Sequence, residues 1–333
     1  MPLPPQQALC DAGEPAPRWL PVVDHYCGVE RLMRKSLALQ QSLQGRFDVT
    51  LDCEDGAPVG GEAEHVALLL ELLAQPQSGR VGARVHPIDH PAFEMEVSQL
   101  VAGAGPRLAY LMLPKVEGAE QLARGAQMVG QAWQAAGHAG SLPLHALVET
   151  HGALREVDAL AAHPAIESLS FGLMDFVSAH RGAIPGSAMS LDGQFQHPLV
   201  LRAKLAIGAA CHAFGKTPSH CVVTEFKNAE RLREAARRAA HELGYTRMWS
   251  IHPDQIEPIL DALTPPAHEI AEAVDILTAA QAADWAPTRH RDRLHDRASY
   301  RYYWHLLARA HDAKLSLPPE AVAFFQQPQG LKP

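Results

Sequence analysis

One stretch of the chain, residues 144–176, restricts the possible folds more than any other. Two apolar runs of strand length end at Glu149 and at Gly172, and residues 154–162 between them have helical spacing. A strand, a helix and a second strand in succession form a unit whose two strands lie parallel and adjacent in one sheet. The carboxyl ends of both strands therefore meet at the same edge, and we expect Glu149 and Asp175 to face one space there.

The alternation of strand and helix extends over most of the chain. Six further runs typical of strands lie at 19–23, 47–51, 81–85, 108–113, 221–224 and 247–251. Eight strand candidates separated by helices are the pattern of a (β/α)8 TIM barrel, an α/β fold, which we predict for residues 19–283. A doubly wound open sheet is the alternative, but no G-x-G-x-x-G follows the first strand to support a dinucleotide site.

The two ends of the chain differ from this pattern. Residues 1–18 are rich in Pro, Gly and Ala and have no periodicity, so we expect a mobile N-terminal arm. Residues 284–333 are predicted to form a C-terminal helical appendage, either a lid or an oligomerisation segment. One face of its helix carries Tyr300, Tyr303, Trp304 and Leu307. An aromatic stripe on an appendage more often packs against a neighbour than binds a cofactor.

Charge and cysteine content argue against several classes of partner and compartment. The net charge of −8, from 29 basic and 37 acidic residues, disfavours a nucleic-acid or anionic-membrane surface. No apolar run reaches the ~18 residues of a membrane span, and M-P-L-P-P-Q-Q lacks the basic and apolar regions of a signal peptide. Five widely spaced cysteines without C-x-x-C indicate free thiols. We therefore expect a cytoplasmic protein without nucleic-acid or membrane partners.

Polar residues follow the predicted strands, at the face where a TIM barrel places its chemistry. They are Asp52, Glu54 and Asp55 after the second strand, Arg84 and His86 on the third, Lys115 after the fourth, Glu149 after the fifth, Asp175 after the sixth, Glu225 after the seventh and His252 after the eighth. A purely structural role would place such charge on solvated helix surfaces. The clustering therefore favours a site.

The pair Glu149 and Asp175 suits a hard divalent cation such as Mg²⁺. This ion takes one or two protein carboxylates and leaves its other positions to water and substrate oxygens. The alternative is that both are ordinary solvated loop acids. Beside them, the backbone amides of the tight turn at Gly172, Leu173 and Met174 are candidates to hold a substrate carboxylate next to the metal.

Arg84 lies within an apolar strand, where a guanidinium is costly unless it is paired. One interpretation is a buried ion pair with Glu54 or Asp55. The other is a fork that grips a substrate carboxylate while those acids hold it in place. Lys115 is either a surface lysine or a member of the same site.

Six motifs in order carry a family resemblance. They are L-D-C-E-D-G at 51–56, R-V-H-P at 84–87, L-P-K at 113–115, V-E-T at 148–150, F-G-L-M-D-F at 171–176 and S-I-H-P-D-Q-I at 250–256. Together they resemble the citrate lyase β-subunit family of the HpcH/HpaI aldolase/citrate lyase superfamily, with malyl-CoA lyases as relatives. The resemblance implies a TIM barrel, a homotrimer or hexamer, and Mg²⁺ bound by Glu149 and Asp175. It also implies that Arg84 binds the carboxylate of a 2-oxo acid and that Glu54 and Asp55 support it.

Three positions depart from the patterns of these relatives. The family usually has Pro-Gly-Asn-Arg after its first strand, where this chain has V-D-H-Y-C-G-V-E-R at 23–31. Related aldolases of the HpcH type have a histidine base where Asp55 stands. In malyl-CoA lyases an Asp of the C-terminal lid is the proton donor in a neighbouring subunit's site, and Asp296 is the candidate here, with Asp292 second.

The rim acids and the resemblance together predict a Mg²⁺-dependent carbon–carbon lyase of aldol or Claisen type. Its substrate would be a hydroxyacyl thioester, with CoA as the candidate thiol, or a related hydroxy acid, and one product would be a 2-oxo acid. Two alternatives stay open. One is an acyl-CoA thioester hydrolase on the same metal site, and the other is a non-catalytic subunit or oxo-acid-binding protein.

Overall fold

The computed structural model describes residues 3–10 and 19–326, and the chain divides into two compact units. The barrel unit is Pro21–Leu263, and the terminal unit combines Met1–Leu20 with Thr264–Pro333, within the described residues. The predicted boundary at 283 therefore lies later than the division of the structure. The reason is that the helix at 267–282 buries Ile270 and Leu277 in the core of the terminal unit.

Eight parallel strands follow one another around a closed barrel, and the last pairs with the first. Their bounds are β1 Val23–Cys27, β2 Asp48–Asp52, β3 Val81–Arg84, β4 Leu111–Leu113, β5 Leu144–Val148, β6 Ile166–Phe171, β7 Thr217–His220 and β8 Arg247–Ser250. The terminal unit adds an antiparallel pair, β9 Thr288–His290 and β10 Arg293–His295. The predicted (β/α)8 TIM barrel is confirmed.

Helices cover the outside of the barrel and build the terminal unit. They are α1 Pro5–Leu9, α2 Glu30–Ser42, α3 Glu62–Leu73, α4 Phe93–Ala104, α5 Ala119–Ala135, α6 His151–Arg155, α7 Val157–Ala162, α8 Leu173–Ser178, α9 Pro198–Ala213, α10 Ala229–Leu243, α11 Ile256–Leu263, α12 Ala267–Ala282, α13 Arg297–Asp312 and α14 Pro319–Phe325. The C-terminal helical appendage is thereby confirmed. Within residues 3–10 and 19–326, no helix has the length and apolar character needed to cross a bilayer.

The helix α10 shows how local sequence specifies these elements. The side chain of Asn228 caps its first turn by accepting a hydrogen bond from the Arg231 amide at 3.1 Å. Its C-terminal cap is Gly244, whose φ of 72° is easily reached only by glycine. Its buried face consists of Leu232, Ala235, Ala236 and Ala239. One apolar stripe therefore covers the barrel, and the charged residues of the helix are left to solvent.

Two strands differ from their predicted positions. The first is Val23–Cys27 instead of 19–23, and the seventh is Thr217–His220 instead of 221–224. Both strands bury polar side chains, and several of these are hydrogen-bonded inside the fold. In β1, for example, His25 has Nδ1 at 2.9 Å from Ser250 Oγ and Nε2 at 2.9 Å from Ser36 Oγ. Apolar runs are a poor guide to strands of this kind, because hydrogen bonding makes their polar residues tolerable in the interior.

The terminal unit has a hydrophobic core of its own, which includes Leu9, Tyr300, Trp304 and Leu307. The helix α1 lies in the segment predicted to be a mobile arm, and it is ordered because Leu9 offers an apolar anchor with no exposed surface. The rest of that prediction, for residues 1–2 and 11–18, lies outside the described residues. The predicted aromatic stripe packs within the chain, and the Tyr300 hydroxyl donates to the carbonyl of Ala286 at 3.0 Å.

A buried ion-pair cluster lies inside the barrel at the amino ends of the strands. Arg247 of β8 contacts Asp24 of β1 at 3.0 Å and Asp48 of β2 at 2.8 Å, and none of these side chains is exposed. The guanidinium also donates to the carbonyl of Pro21 at 2.7 Å, and the Thr50 hydroxyl donates to Asp24 at 2.7 Å. Each of the three charges depends on the others, because an unpaired charge in this interior is strongly unfavourable.

A second buried cation, Lys204 of α9, has no carboxylate partner among the described residues. Its ammonium donates to Gln194 Oε1 at 3.1 Å and lies 4.1 Å from the centre of the Phe195 ring. Burial lowers the pKa of Lys204 to about 8, and the positive charge of Arg238 acts in the same direction. The other titratable groups that face it, Cys221 and His220, bring no resident negative charge.

We predict that Arg247→Ala destabilises the protein by about 3–5 kcal/mol, because it leaves buried Asp24 without its cation and Asp48 with only the more distant Arg80, at 3.6 Å. Urea unfolding measures the change. The control is Arg34→Ala, which removes an exposed arginine paired with Glu30 and Glu71 and should have little effect. Equal urea midpoints for Arg247→Ala and the parent protein would contradict the structural role of the cluster.

We predict that Lys204→Met stabilises the protein at pH 7 by on the order of 2 kcal/mol, and that the gain shrinks as the pH rises from about 8 to 10.5. Below about pH 8 the lysine is charged in both states, so the folded protein carries the full cost of burying the charge. Between those pH values the folded state releases its proton first, and the cost fades. Urea unfolding at pH 7 and pH 10 measures the gain in the free energy of unfolding. Lys35→Met on α2 is the control for the loss of one charge. A gain that does not depend on pH would refute the explanation.

Candidate active site

The carboxyl ends of β2 and β3 hold a guanidinium between two acids. Arg84 and Asp52 are partners in the strand register and form a two-point ion pair, with Nε to Oδ1 at 2.7 Å and Nη2 to Oδ2 at 2.5 Å. The third nitrogen, Nη1, lies 3.0 Å from Glu54 Oε2. Burial alone would lower the pKa of Arg84, but the hydrogen bonds and charges of Asp52 and Glu54 raise it above its usual value. The guanidinium is therefore fixed in orientation and stays charged.

The partners of Arg84 agree only in part with the sequence prediction. Glu54 contacts the guanidinium as predicted, whereas Asp55 contacts Lys115 instead. The strongest partner, Asp52, was not predicted to pair with Arg84. Asp52 ends β2 directly opposite Arg84 on β3, and this strand alignment cannot be read from the sequence.

Lys115 connects the acids after β2 with the acid after β5. Its ammonium lies 2.5 Å from Glu54 and 3.0 Å from Asp55, and its backbone amide donates to Glu149 Oε1 at 2.6 Å. The residue has a φ of 50°, in the left-handed region, which turns its amide and its side chain toward these separate partners. Lys115 is thus a member of the rim cluster, and the interpretation as a free surface lysine is wrong.

Glu149 is a buried carboxylate beside a second acid. Only 3% of the residue is exposed, and burial together with the charge of Asp175 raises its pKa to about 8. A side chain at Gly172 would occupy the same space, since a Cβ there would lie 2.0 Å from Glu149 Oε2. The glycine upstream of Asp175 therefore leaves room for the Glu149 carboxylate, and Asp175 lies close enough for its charge to act on that carboxylate.

The backbone amides predicted to bind an anion are not equivalent. The amide of Gly172 donates to the carbonyl of Val148 at 3.2 Å and so belongs to the sheet. Leu173 and Met174 begin α8, and the first amides of a helix have no acceptor within it. Binding of a substrate carboxylate by these two amides stays a prediction.

The donor set at this rim fits a divalent cation. Two carboxylates repel one another here, and a bound cation would relieve the cost of keeping both charged. No cluster of three or more His, Cys, Asp or Glu ligands is preformed in the described parts of the chain. A site with two protein carboxylates, completed by water and substrate oxygens, is the arrangement that suits Mg²⁺.

Asp296 has a local role in the terminal unit. It caps α13, accepting hydrogen bonds from the amides of Ala298 at 3.1 Å and Ser299 at 3.3 Å. The second candidate, Asp292, pairs with Arg289 at 2.8 Å in the turn of the β9–β10 hairpin. Proton donation by Asp296 stays a prediction.

The rim histidine His86 has a carboxylate partner that the sequence did not reveal. Its Nδ1 lies 2.6 Å from Oε1 of Glu96, and its backbone amide donates to Oε2 at 2.8 Å. Glu96 lies on α4 and has no exposed surface. His252, in contrast, accepts a hydrogen bond from the Asp254 amide at 3.2 Å and caps the short helix Pro253–Gln255.

Comparison with known proteins identifies relatives in sequence and in structure. Residues 33–253 match the family model described as HpcH/HpaI aldolase/citrate lyase. An L-malyl-CoA/beta-methylmalyl-CoA lyase of Cereibacter sphaeroides is 30% identical over 266 residues, which cover 75% of this chain and 83% of the relative.

Two solved structures resemble the chain over most of its length. A citrate lyase from Burkholderia xenovorans LB400 is 51% identical, with a TM-score of 0.86 and coverage of 97% of this chain and 99% of that one. Protein CitE from Mycobacterium tuberculosis, in complex with magnesium, acetoacetate and coenzyme A, is 22% identical, with a TM-score of 0.68 and coverage of 89% and 100%. The second likeness supports the fold alone. The resemblance inferred from the six motifs is confirmed.

We predict that Gly172→Ala weakens Mg²⁺ binding at least about tenfold, because the new methyl group would displace the Glu149 carboxylate. Isothermal titration calorimetry with MgCl₂ measures the change. Gly130→Ala is the matched control: no atom lies within 4 Å of its added methyl group, and alanine is the better helix former there. Unchanged Mg²⁺ affinity in Gly172→Ala would show that Mg²⁺ binding does not need a glycine at this position.

Proposed function

We propose a reaction for this chain on one premise: it belongs to the HpcH/HpaI aldolase/citrate lyase family. The relatives named above are lyases, and the chain is a carbon–carbon lyase. We infer that it cleaves or forms a hydroxyacyl thioester or a related hydroxy acid, and that one cleavage product is a 2-oxo acid. CoA is the candidate thiol, since one relative is named for a CoA thioester and another binds coenzyme A.

The observation that carries this proposal is the buried carboxylate of Glu149 beside Asp175. These two residues would hold Mg²⁺, which when bound supplies Lewis-acid polarisation of the oxo acid's carboxylate and adjacent oxygen. The Lys115 amide holds one oxygen of Glu149 at 2.6 Å, and Gly172 leaves space for the other. Glu149 is therefore oriented before any ligand binds. The magnesium in the CitE complex supports this choice of ion.

Arg84 would bind the carboxylate of the oxo acid. Asp52 accepts one hydrogen from Nε and one from Nη2, whereas Glu54 forms an ion pair with Nη1 without a hydrogen bond, so three of the five N–H groups of the guanidinium remain for a ligand. Because both acids hold the guanidinium in place, the carboxylate it binds has one orientation, and the breaking bond is aligned. Glu54 and Asp55 act as positioning residues, through Arg84 and Lys115.

We further propose that the protein works as a homotrimer or hexamer in the cytoplasm. In such an assembly Asp296 would protonate the enolate in a neighbouring subunit's site. Leu173 and Met174 would add their backbone amides to the oxo-acid carboxylate.

We predict that Glu149→Gln and Asp175→Asn each abolish Mg²⁺-dependent turnover, because an amide of the same shape replaces a charged oxygen ligand. The assay incubates protein, MgCl₂ and L-malyl-CoA or a related hydroxyacyl-CoA, and measures free CoA, acyl-CoA and 2-oxo acid. Calorimetry with MgCl₂ is the second readout. The control is Glu242→Gln on α10, where the carboxylate pairs with Arg238 at 2.9 Å.

The products distinguish the proposed lyase from its alternatives. Cleavage releases a 2-oxo acid together with a shorter acyl-CoA, whereas hydrolysis releases free CoA and no oxo acid. A chain that binds Mg²⁺ and an oxo acid yet turns over no thioester would be a binding protein or subunit. Full activity in either acid variant would remove the two carboxylates from the mechanism.

A further inference from the structure

Five side chains form a layer inside the barrel just below the rim. This apolar floor consists of Tyr26, Met112, Leu147, Val222 and Trp249. At its centre the rings of Tyr26 and Trp249 stack, with their centres 4.3 Å apart and their planes 26° from parallel. Met112 and Leu147 have no exposed surface, so the layer is closely packed.

The floor adjoins the proposed site directly. The guanidinium carbon of Arg84 lies over the Tyr26 ring, 5.5 Å from its centre. Met112 is the register partner of Arg84 on the next strand, and Leu147 lies two residues before Glu149, on the same side of β5. A molecule whose carboxylate reaches Arg84 would therefore rest on this layer.

The surface that the floor offers to such a molecule is carbon. Tyr26 and Trp249 are 7% and 8% exposed, yet the Tyr26 hydroxyl and the Trp249 indole nitrogen are buried. The polar atoms of both rings thus contribute nothing to the exposed part. The next cation below, Arg247, is fully buried and already paired with Asp24 and Asp48. A second carboxylate placed on the floor would lose contact with water and gain no charged partner from the floor side chains, which is costly.

We propose that the apolar floor is the specificity determinant for the oxo acid, and that it selects a 2-oxo monocarboxylic acid with a short alkyl substituent over one with a second carboxylate. The inference rests on the proposed function, because it assumes that Arg84 and the two rim acids bind the oxo acid. Tyr26 and Trp249 receive the substituent on their ring carbons. Each methylene buried there improves affinity about fourfold, and an unpaired carboxylate weakens it at least about tenfold.

The test is calorimetric titration of the full-length protein, in excess MgCl₂, with glyoxylate, pyruvate, 2-oxobutyrate and oxaloacetate. We expect pyruvate to bind about fourfold more tightly than glyoxylate, and oxaloacetate at least about tenfold more weakly than pyruvate. Trp249→Leu enlarges the space above the floor and should raise the affinity for 2-oxohexanoate relative to the affinity for pyruvate. Val222→Lys places a cation at a half-buried position of the floor. It should raise the affinity for oxaloacetate relative to the affinity for pyruvate at least about tenfold.

Val322→Lys on α14 is the matched control for the added charge and should leave the order of affinities unchanged. Oxaloacetate binding as tightly as pyruvate to the parent protein would overturn the inference. So would an unchanged ratio of oxaloacetate to pyruvate in a folded Val222→Lys variant, which keeps the test decisive if Trp249→Leu does not fold. If the folded parent protein binds none of the four acids with Mg²⁺, the proposed function itself fails, and this result is distinct from binding in the wrong order.

Discussion

The ion pairs of Arg247 join the strands at the seam where the barrel closes, beside the backbone pairing of β1 with β8. This residue lies on the last strand, and its partners Asp24 and Asp48 lie on the first two, so the contacts cross the seam between β8 and β1. The hydrogen bond of His25 to Ser250 crosses the same seam. Eight strand ends meet over one mouth only if the sheet is closed. The chemistry at the rim is therefore conditional on a charge cluster at the opposite ends of the strands.

The interior is ordered by polarity along the strands. On β8, charged Arg247 is followed two residues later by Trp249 of the floor, and on β5, Leu147 of the floor is followed two residues later by Glu149 of the rim. Two residues of a strand span about 6.6 Å, so each layer is one side chain thick. The floor separates the ion pairs of Arg247 from the acids of the rim. Its carbon surface also keeps water away from the base of the site, which strengthens charge interactions above it.

The sequence predicts residues that follow directly from strand ends, but it does not predict contacts that depend on how neighbouring strands are aligned. Glu149 and Asp175 could be found because each follows an apolar strand, and strand direction places both at one rim. Asp52 could not be matched to Arg84, since that contact needs the alignment of β2 with β3. The strand Thr217–His220 was missed because its polar side chains are buried and its apolar content is low.

The charges at the rim support the proposal that Glu149 and Asp175 are the metal ligands. Five acids, Asp52, Glu54, Asp55, Glu149 and Asp175, surround two cations, Arg84 and Lys115. The first three acids form ion pairs with these cations. Within the described residues, no Lys, Arg or His side chain forms an ion pair with either of the other two, and the pKa of Glu149 is raised to about 8 as a result of burial and the charge of Asp175. A cation from outside the chain would balance the charges of Glu149 and Asp175, as proposed above. Arg84, already held by its own acids, is then left to orient the substrate rather than to balance charge.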